Sequence, residues 1–209
     1  MELLSKEKRK RLSRFVRKDD FLRSLVSDLL IRVLIVKHLN LSNKEIRFTL
    51  NDYGKPYLDG RRLEFNVSHS GEWVVAAVSQ SPVGIDVEQI KSVKLDIARR
   101  FFSKQEYSEL LAKEGEDQKH YFFDLWTLKE SYVKACGQGL AIPLNSFMFS
   151  FKDGELFFEN HHSLKQVYFR QYQLDKMYKL AVCSSYQDFP EKVEVWGLNE
   201  LLRETSQLL

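Results

Sequence analysis

One stretch limits the possible folds more than any other, because its apolar residues repeat at helical spacing and then stop. Between residues 121 and 139 the apolar side chains recur every three or four positions, at Tyr121, Leu125, Leu128, Tyr132 and Ala135. This spacing predicts an amphipathic helix with one face against a core. Gly137 and Gly139 permit the left-handed backbone that ends helices, and Pro143 prevents the helix from resuming.

Two charged residues of this helix lie one turn apart. The side chains of Glu130 and Lys134 can therefore form a surface ion pair or reach one common ligand. A second acidic pair lies upstream, in V-G-I-D-V-E at residues 83–88. Alternation along a strand would place Asp86 and Glu88 on the same face, which is either solvated or directed at the helix.

If these carboxylates converge, their repulsion must be offset. Three of them within about 4 Å would repel by roughly 1–4 kcal/mol per pair. Neighbouring Lys or Arg, protonation, or a hard divalent cation such as Mg²⁺ could offset this. His69, in the predicted turn Ser68–Gly71, would either cap a hairpin or help to hold a phosphate.

Charge is unevenly distributed along the 209 residues. The net charge is only +3, but residues 1–18 contain eight Lys or Arg against two Glu. This excess indicates an anionic partner, and its small extent favours a phosphorylated small molecule over nucleic acid. The two cysteines show no metal or disulfide spacing. We find no signal peptide and no apolar run long enough for a membrane span, so we expect a cytoplasmic protein with no membrane partner.

Helix and strand patterns alternate along the chain. Asp19 and Asp20 are predicted to cap a helix that ends near 39–43, and Ser103 with Glu106 forms a capping-box pattern. Further helices are predicted at 94–102 and 103–112, with a charged loop at 115–119. Strands are predicted at 46–50, 56–58, 63–67, 73–78, 83–88, 147–151, 155–158, 166–173 and 178–184. The apolar strand at 73–78 is predicted to be central in its sheet.

The same order of elements occurs twice, which predicts an α+β pseudo-dimer. Residues 1–82 and 83–209 would form similar halves, each a small, mainly antiparallel sheet packed on a long helix. The interface between the halves is the expected active site. A first-half counterpart of strand 83–88 should precede Ser5, where the chain has almost nothing. Either that sheet is one strand short, or the chain as given is truncated.

Four motifs together resemble a known family. F-N-V-S-H-S-G-E-W, V-G-I-D-V-E, F-F-S-K-Q-E-Y and W-T-L-K-E-S-Y-V-K occur in this order, after Y-G-K-P at residues 53–56. They are similar to the 4′-phosphopantetheinyl transferases of surfactin-synthetase (Sfp) type, over nearly the whole chain. The resemblance implies transfer of a phosphopantetheine arm from coenzyme A to a serine of an apo acyl or peptidyl carrier protein. It also implies Mg²⁺ as cofactor and adenosine 3′,5′-bisphosphate as product.

The resemblance also assigns roles to residues. Asp86, Glu88 and Glu130 would hold the metal on the coenzyme A pyrophosphate, and Lys134 would bind the same phosphates. Glu130 would be the base for the carrier serine, either directly or through a metal-bound water. Residues matching the coenzyme A-binding positions are Lys8, Arg11 and Ser24 for phosphate, Lys55 and Pro56 for adenine, and Ser68 and His69 for phosphate near the adenosine. Glu106, Trp126 and Lys129 match the remaining signature positions, and Glu106 could serve either the metal or its capping box.

Alternative functions differ in what they require of the chain. The short carrier-protein synthases are homotrimers of single-half subunits, whereas two halves in one chain favour a monomer. A coenzyme A-binding module without catalysis would not need both Glu130 and Lys134. A nucleic-acid binder would need a broader basic surface. We therefore expect a transferase of nonribosomal peptide or antibiotic biosynthesis.

Overall fold

The computed structural model describes residues 3–60, 63–160, 164 and 166–208. The α-helices in this part of the chain are α1 Lys6–Leu12, α2 Lys18–Leu39, α3 Leu95–Phe101, α4 Lys104–Leu111, α5 Gly115–Cys136 and α6 Leu198–Ser206. The strands are β1 Phe48–Leu50, β2 Pro56–Leu58, β3 Glu64–Ser70, β4 Trp73–Ser79, β5 Val83–Gln89, β6 Met148–Lys152, β7 Glu155–Glu159, β8 Tyr168–Tyr172 and β9 Tyr178–Ser184. None of these helices is long and apolar enough to cross a membrane.

The strands form small antiparallel sheets, as predicted for an α+β chain. The sheets are β1–β2, β3–β4, β5–β9–β8 and β6–β7. The two long helices cover different sheets, because α2 packs on β3 and β4 whereas α5 packs on β5 and β9. The core between α5 and its neighbours is rich in aromatic rings, including Tyr132, Phe147 and Phe149.

Helix α5 ends where the sequence predicts, but it begins earlier. Gly137 adopts a left-handed conformation, with φ of 70°, and closes the helix after Cys136. The charged segment 115–119, predicted as a loop, is instead the first turns of the helix. Glu116 and Asp117 lie in the first turn, where carboxylates interact favourably with the positive end of the helix dipole.

Two short helices, α1 and α6, were not predicted, and the predicted N-terminal cap of α2 was wrong. Helix α1 follows Ser5, whose hydroxyl accepts a hydrogen bond from the Lys8 amide. Helix α6 packs against α2. Helix α2 begins at Lys18 rather than after the two aspartates, so Asp19 and Asp20 lie in its first turn instead of capping it. The Ser103–Glu106 capping box is confirmed.

The β3–β4 hairpin differs from the prediction in two ways. Strand β3 continues to Ser70, opposite Trp73, so Ser68 and His69 lie on the strand rather than in the turn. Within the part of the chain that the structure describes, β4 forms a backbone ladder with β3 alone, so its predicted central position was wrong. It is apolar on both faces because Ala76 and Val78 pack towards α2 whereas Val75 and Ala77 pack towards β5.

The other strands lie within two residues of their predicted bounds. The first begins at Phe48, after a 3₁₀ turn at residues 43–45. The prediction that a strand should precede Ser5 concerns a segment whose first two residues lie outside the described range. Leu3 and Leu4 lie in a turn and a bend.

A buried ion pair joins α4 to α5. The Lys129 ammonium lies 2.8 Å from Glu106 Oε2, and both side chains are inaccessible to solvent. Lys129 also donates hydrogen bonds to the carbonyls of Leu144 and Phe147, while Glu106 accepts from the amides of Ser103 and Phe149. Both oxygens of Glu106 are thereby used, which favours its capping-box role over a metal role.

Strand β5 packs directly on the backbone of α5, and Gly84 permits this approach. A Cβ at Gly84 would lie 2.0 Å from the Ser131 carbonyl oxygen and 2.4 Å from the Ala135 amide nitrogen. Neither backbone atom can move without shifting the helix.

We therefore expect Gly84→Ala to destabilise the fold by about 3 kcal/mol or more, because the added methyl forces β5 and α5 apart. Thermal unfolding monitored by circular dichroism measures the loss. Gly197→Ala is the matched control, since a Cβ there meets nothing within 4 Å. Equal melting temperatures for the two variants would contradict the close packing.

Candidate active site

Strand β5 alternates as predicted, but both of its faces are covered. Val83, Ile85 and Val87 join the apolar cluster shared with β9 and β4. Asp86 lies on the opposite face and is only 3% exposed. A solvated edge strand is therefore excluded.

The two side chains that donate hydrogen bonds to Asp86 bond to the same carboxylate oxygen. Oδ1 of Asp86 accepts from Ser68 Oγ at 2.8 Å and from Lys134 Nζ at 2.5 Å. Its Oδ2 is buried and has no hydrogen-bond partner among the residues that the structure describes. A buried carboxylate oxygen without a hydrogen-bond partner lowers the stability of the fold, and a bound cation would supply the missing partner.

Among the described residues, the hydrogen bonds from β3 to β5 are made by side chains of β3. Asn66 Oδ1 accepts from the Ile85 amide, Ser68 donates to Asp86, and the Ser70 hydroxyl donates to Glu88 Oε2 at 2.8 Å. These β3 residues alternate along the strand and so share one face. They hold the two sheets together beside the carboxylates.

Helix α5 brings Glu130 and Lys134 to the same place. Lys134 Nζ donates to Ser68 Oγ and to the Ile85 carbonyl as well as to Asp86. The residues lie around a cleft of about 390 Å³, lined by Val67, Ser68, His69, Asp86, Glu88, Trp126, Glu130 and Lys134. The predicted acidic pair, the predicted helix pair and the predicted phosphate-binding pair on β3 thus meet in one cleft.

The carboxylates disfavour one another's ionisation. Burial is the main cause that raises the pKa of Asp86, Glu88 and Glu130. The charge of Asp86 raises the pKa of Glu88 and Glu130 further, while Lys134 lowers the pKa of all of them in part. Lys134 therefore offsets only part of the cost of ionising the three carboxylates in this cleft.

His69 lies at the exposed rim of the cleft. Partial desolvation is the main cause that lowers its pKa, and the charges of Arg23 and Lys134 lower it further. Arg23 donates to the Gly71 carbonyl at 3.0 Å, so the N-terminal part of α2 reaches the β3–β4 turn. Arg23 was not predicted as a site residue, because nothing in its local sequence pattern distinguishes it from the other basic residues of the segment.

The remaining predicted coenzyme A-binding residues do not line this cleft. Lys8 pairs with Asp28 at 3.6 Å, and Arg11 is exposed nearby. Ser24 follows Arg23 on α2.

Lys55 Nζ donates to the carbonyls of Val83 and Ala135, which anchors the β1–β2 hairpin to the end of α5. Pro56 is exposed on β2. Their roles towards coenzyme A stay predictions.

The cleft suits a metal ion shared between protein and substrate better than a metal ion held by protein side chains alone. In residues 3–60, 63–160, 164 and 166–208, no three Asp, Glu, His or Cys side chains converge as a ready-made metal cage. The Asp86 Oδ2, which has no partner in the described part of the chain, and the neighbouring carboxylates of Glu88 and Glu130 nevertheless fit a hard cation. Mg²⁺ typically takes one or two carboxylates and completes its shell with water and substrate phosphate.

Known proteins resemble this chain along nearly all of its length. The family model of the 4′-phosphopantetheinyl transferase superfamily matches residues 82–183. The family model of the N-terminal region of 4′-phosphopantetheinyl transferases matches residues 1–81. The 4′-phosphopantetheinyl transferase Sfp of Bacillus subtilis (strain 168) is 44% identical over 97% of this chain and 91% of its own length. The 4′-phosphopantetheinyl transferase gsp of Aneurinibacillus migulanus is 42% identical over 88% of this chain and 77% of its own length.

Among solved structures, the holo-[acyl-carrier-protein] synthase of Thermotoga maritima is 20% identical. It covers 50% of this chain and 62% of its own chain, with a TM-score of 0.43.

The family models and these relatives show that the chain belongs to the 4′-phosphopantetheinyl transferase superfamily and is an enzyme of that class. Within that superfamily it is of the Sfp type. The alternative of a binding module without catalysis is therefore excluded.

The charge of the cleft predicts that one site substitution stabilises the protein. Glu130→Gln should raise the melting temperature of the metal-free protein at pH 8 by about 2–4 °C, the shift that about 1 kcal/mol gives in a chain of this size. Its carboxylate has a raised pKa in the folded state. Below the pKa that Glu130 has in the unfolded chain, its side chain is protonated in both states. As the pH rises through the folded-state pKa, the buried group becomes charged and the free energy of unfolding falls.

The stabilisation by Glu130→Gln should therefore shrink as the pH is lowered towards 4. Differential scanning calorimetry with chelator present measures both values. Glu155→Gln, on the exposed face of β7, is the control and should leave the melting temperature unchanged. A Glu130→Gln variant less stable than the wild type at pH 8 would contradict the electrostatic argument.

Proposed function

We propose that the protein transfers the 4′-phosphopantetheine arm of coenzyme A to a serine of apo acyl or peptidyl carrier proteins. The reaction requires Mg²⁺ and releases adenosine 3′,5′-bisphosphate. Family membership supports the transferase chemistry. The observation that carries the proposal is the buried Asp86, with its unpaired Oδ2, in one cleft with Glu130 and Lys134.

Asp86, Glu88 and Glu130 would hold the metal ion. When bound, Mg²⁺ supplies positive charge that binds the diphosphate of coenzyme A and stabilises the leaving phosphate. The residues of the chain fix where that diphosphate lies. Lys134 is held on Asp86 and Ser68, so its ammonium is directed at the same position and offsets negative charge on the leaving group.

Glu130 is the proposed base. The carrier serine hydroxyl is a weak nucleophile and needs a proton acceptor within hydrogen-bond reach. The raised pKa of Glu130 makes it a stronger base than a solvated carboxylate. As the serine proton passes to Glu130, the serine oxygen bonds to the phosphorus that carries pantetheine. The P–O bond to the second phosphate breaks, and that phosphate leaves on adenosine 3′,5′-bisphosphate.

The arrangement of the sheets supports the predicted halves. Residues 1–82 contribute β3 with Ser68 and His69, whereas 83–209 contribute β5 and α5 with the acidic residues and Lys134. We propose that these are the two halves of a pseudo-dimer and that the active site lies at their interface. One chain then contains all the proposed groups, which supports a monomer. Action in the cytoplasm on carrier proteins of nonribosomal peptide or antibiotic synthesis belongs to the same proposal.

Asp86→Ala tests the metal site directly. Wild-type protein, coenzyme A, Mg²⁺ and an apo peptidyl carrier protein should give a carrier with the phosphopantetheine mass added, and a chelator should abolish the product. Asp86→Ala should stay folded and lose about 100-fold or more in rate, because a ligand of the cation is removed. Mass spectrometry of the carrier and circular dichroism of the enzyme measure both effects.

Asp188→Ala, in the exposed segment after β9, is the matched control and should keep wild-type activity. Transfer by Asp86→Ala at the wild-type rate would overturn the metal assignment. Absence of any transfer by the wild type would overturn the proposed reaction.

His69→Ala tests the phosphate-binding role at the rim. We expect KM for coenzyme A to rise about tenfold, as for loss of one hydrogen bond to a charged group, with kcat much less affected. His38→Ala, an exposed histidine on α2, should leave both constants unchanged. An unchanged KM for coenzyme A would contradict the phosphate-binding role and leave His69 as a structural residue of strand β3. Steady-state kinetics at saturating carrier protein distinguishes these outcomes.

A further inference from the structure

The Ser70 hydroxyl occupies a defined position between two groups of β5. It accepts a hydrogen bond from the Gln89 amide at 3.1 Å and donates one to Glu88 Oε2 at 2.8 Å. Because the hydroxyl has a single proton, accepting from the amide leaves that proton to be directed at the carboxylate. The contact crosses from the β3–β4 sheet to the β5–β9–β8 sheet.

The backbone next to Ser70 is fixed from both sides. Arg23 of α2 donates to the Gly71 carbonyl at 3.0 Å, and the Glu72 amide donates to the Tyr178 hydroxyl at 3.1 Å. A Cβ at Gly71 would lie 2.2 Å from that hydroxyl, and Gly71 has φ of +55°, so glycine is required there. The turn can therefore shift little, and the Ser70 hydroxyl is held in place before any ligand binds.

We propose that Ser70 is a positioning residue, whose hydroxyl fixes the Glu88 carboxylate in the orientation that binds the cation. This inference rests on the proposed function, since it concerns the same cation. Ser70 differs from Ser68, which is bonded to Asp86 and also accepts from Lys134. Glu88 is less deeply buried than Asp86, so it depends on Ser70 for its orientation. Partners that orient a metal ligand commonly change metal affinity by about 10–100-fold.

The test measures cation binding without turnover. Mn²⁺ is titrated into the full chain with coenzyme A and without carrier protein, and free Mn²⁺ is measured by electron paramagnetic resonance. We expect Ser70→Ala to raise the Kd for Mn²⁺ by about tenfold and Ser70→Thr, which keeps the hydroxyl, to restore it to within about twofold of the wild type. Ser79→Ala is the control. That serine accepts one backbone hydrogen bond on the same hairpin, and its mutation should leave the Kd unchanged.

A double-mutant cycle separates positioning from general loosening of the hairpin. Glu88→Gln should weaken Mn²⁺ binding, and Ser70→Ala added to it should change the Kd no further, because the group that Ser70 orients is already altered. If Ser70→Ala is too unstable to titrate, Ser70→Cys fills the same space with a weaker donor and should also raise the Kd.

Each outcome has a distinct meaning. Tight Mn²⁺ binding by the wild type with an equal Kd in Ser70→Ala overturns the positioning role and leaves the proposed function intact. Additive effects of Ser70→Ala and Glu88→Gln also overturn it. Wild-type protein that binds no Mn²⁺ in the presence of coenzyme A overturns the cation site itself.

Discussion

The packing of β5 on the backbone of α5 is the contact on which the site depends. Because Gly84 has no side chain, the strand lies against the helix. Asp86, two residues further on, is then buried beside Lys134. Burial raises the pKa of Glu130 on the same helix, and the nearby charge of Asp86 raises it further. A wider separation would admit water, weaken the mutual repulsion and separate the acidic groups. Close packing of two backbones therefore determines the electrostatics of the cleft.

The buried Glu106–Lys129 pair sets the rotation of α5 about its axis. Lys129 and Glu130 are neighbours in sequence, yet the first is enclosed in the core and the second faces the cleft. Removing one partner of a buried pair costs about 3–5 kcal/mol, so the helix is strongly held in the orientation that satisfies Lys129. Glu130 and Lys134 are then directed at β5, where hydrogen bonds to Ser68, Ile85 and Asp86 hold the Lys134 ammonium.

Much of the site could be predicted because its signals are local. Helical spacing placed Glu130 and Lys134 on one face of α5, and period-two alternation placed Asp86 and Glu88 together. What could not be predicted depends on contacts distant in sequence. The Ser70 hydroxyl bonds to Glu88 of β5, and Lys55 turns to the end of α5 because carbonyl groups are available there. The charged start of α5 resembles a loop because that part of the helix is solvated.

The C-terminal segment returns to the first long helix. The Lys37 ammonium of α2 lies 2.8 Å from Glu204 of α6 and 4.6 Å from the Trp196 ring centre. Residues from the early and late parts of the chain are thereby in contact. Val75 and Ala77 of β4 also pack against the apolar face of β5, so a cut between β4 and β5 would leave apolar surface open on both fragments. We infer that the protein is suited to fragment complementation, in which two separately produced pieces recover their structure only by associating.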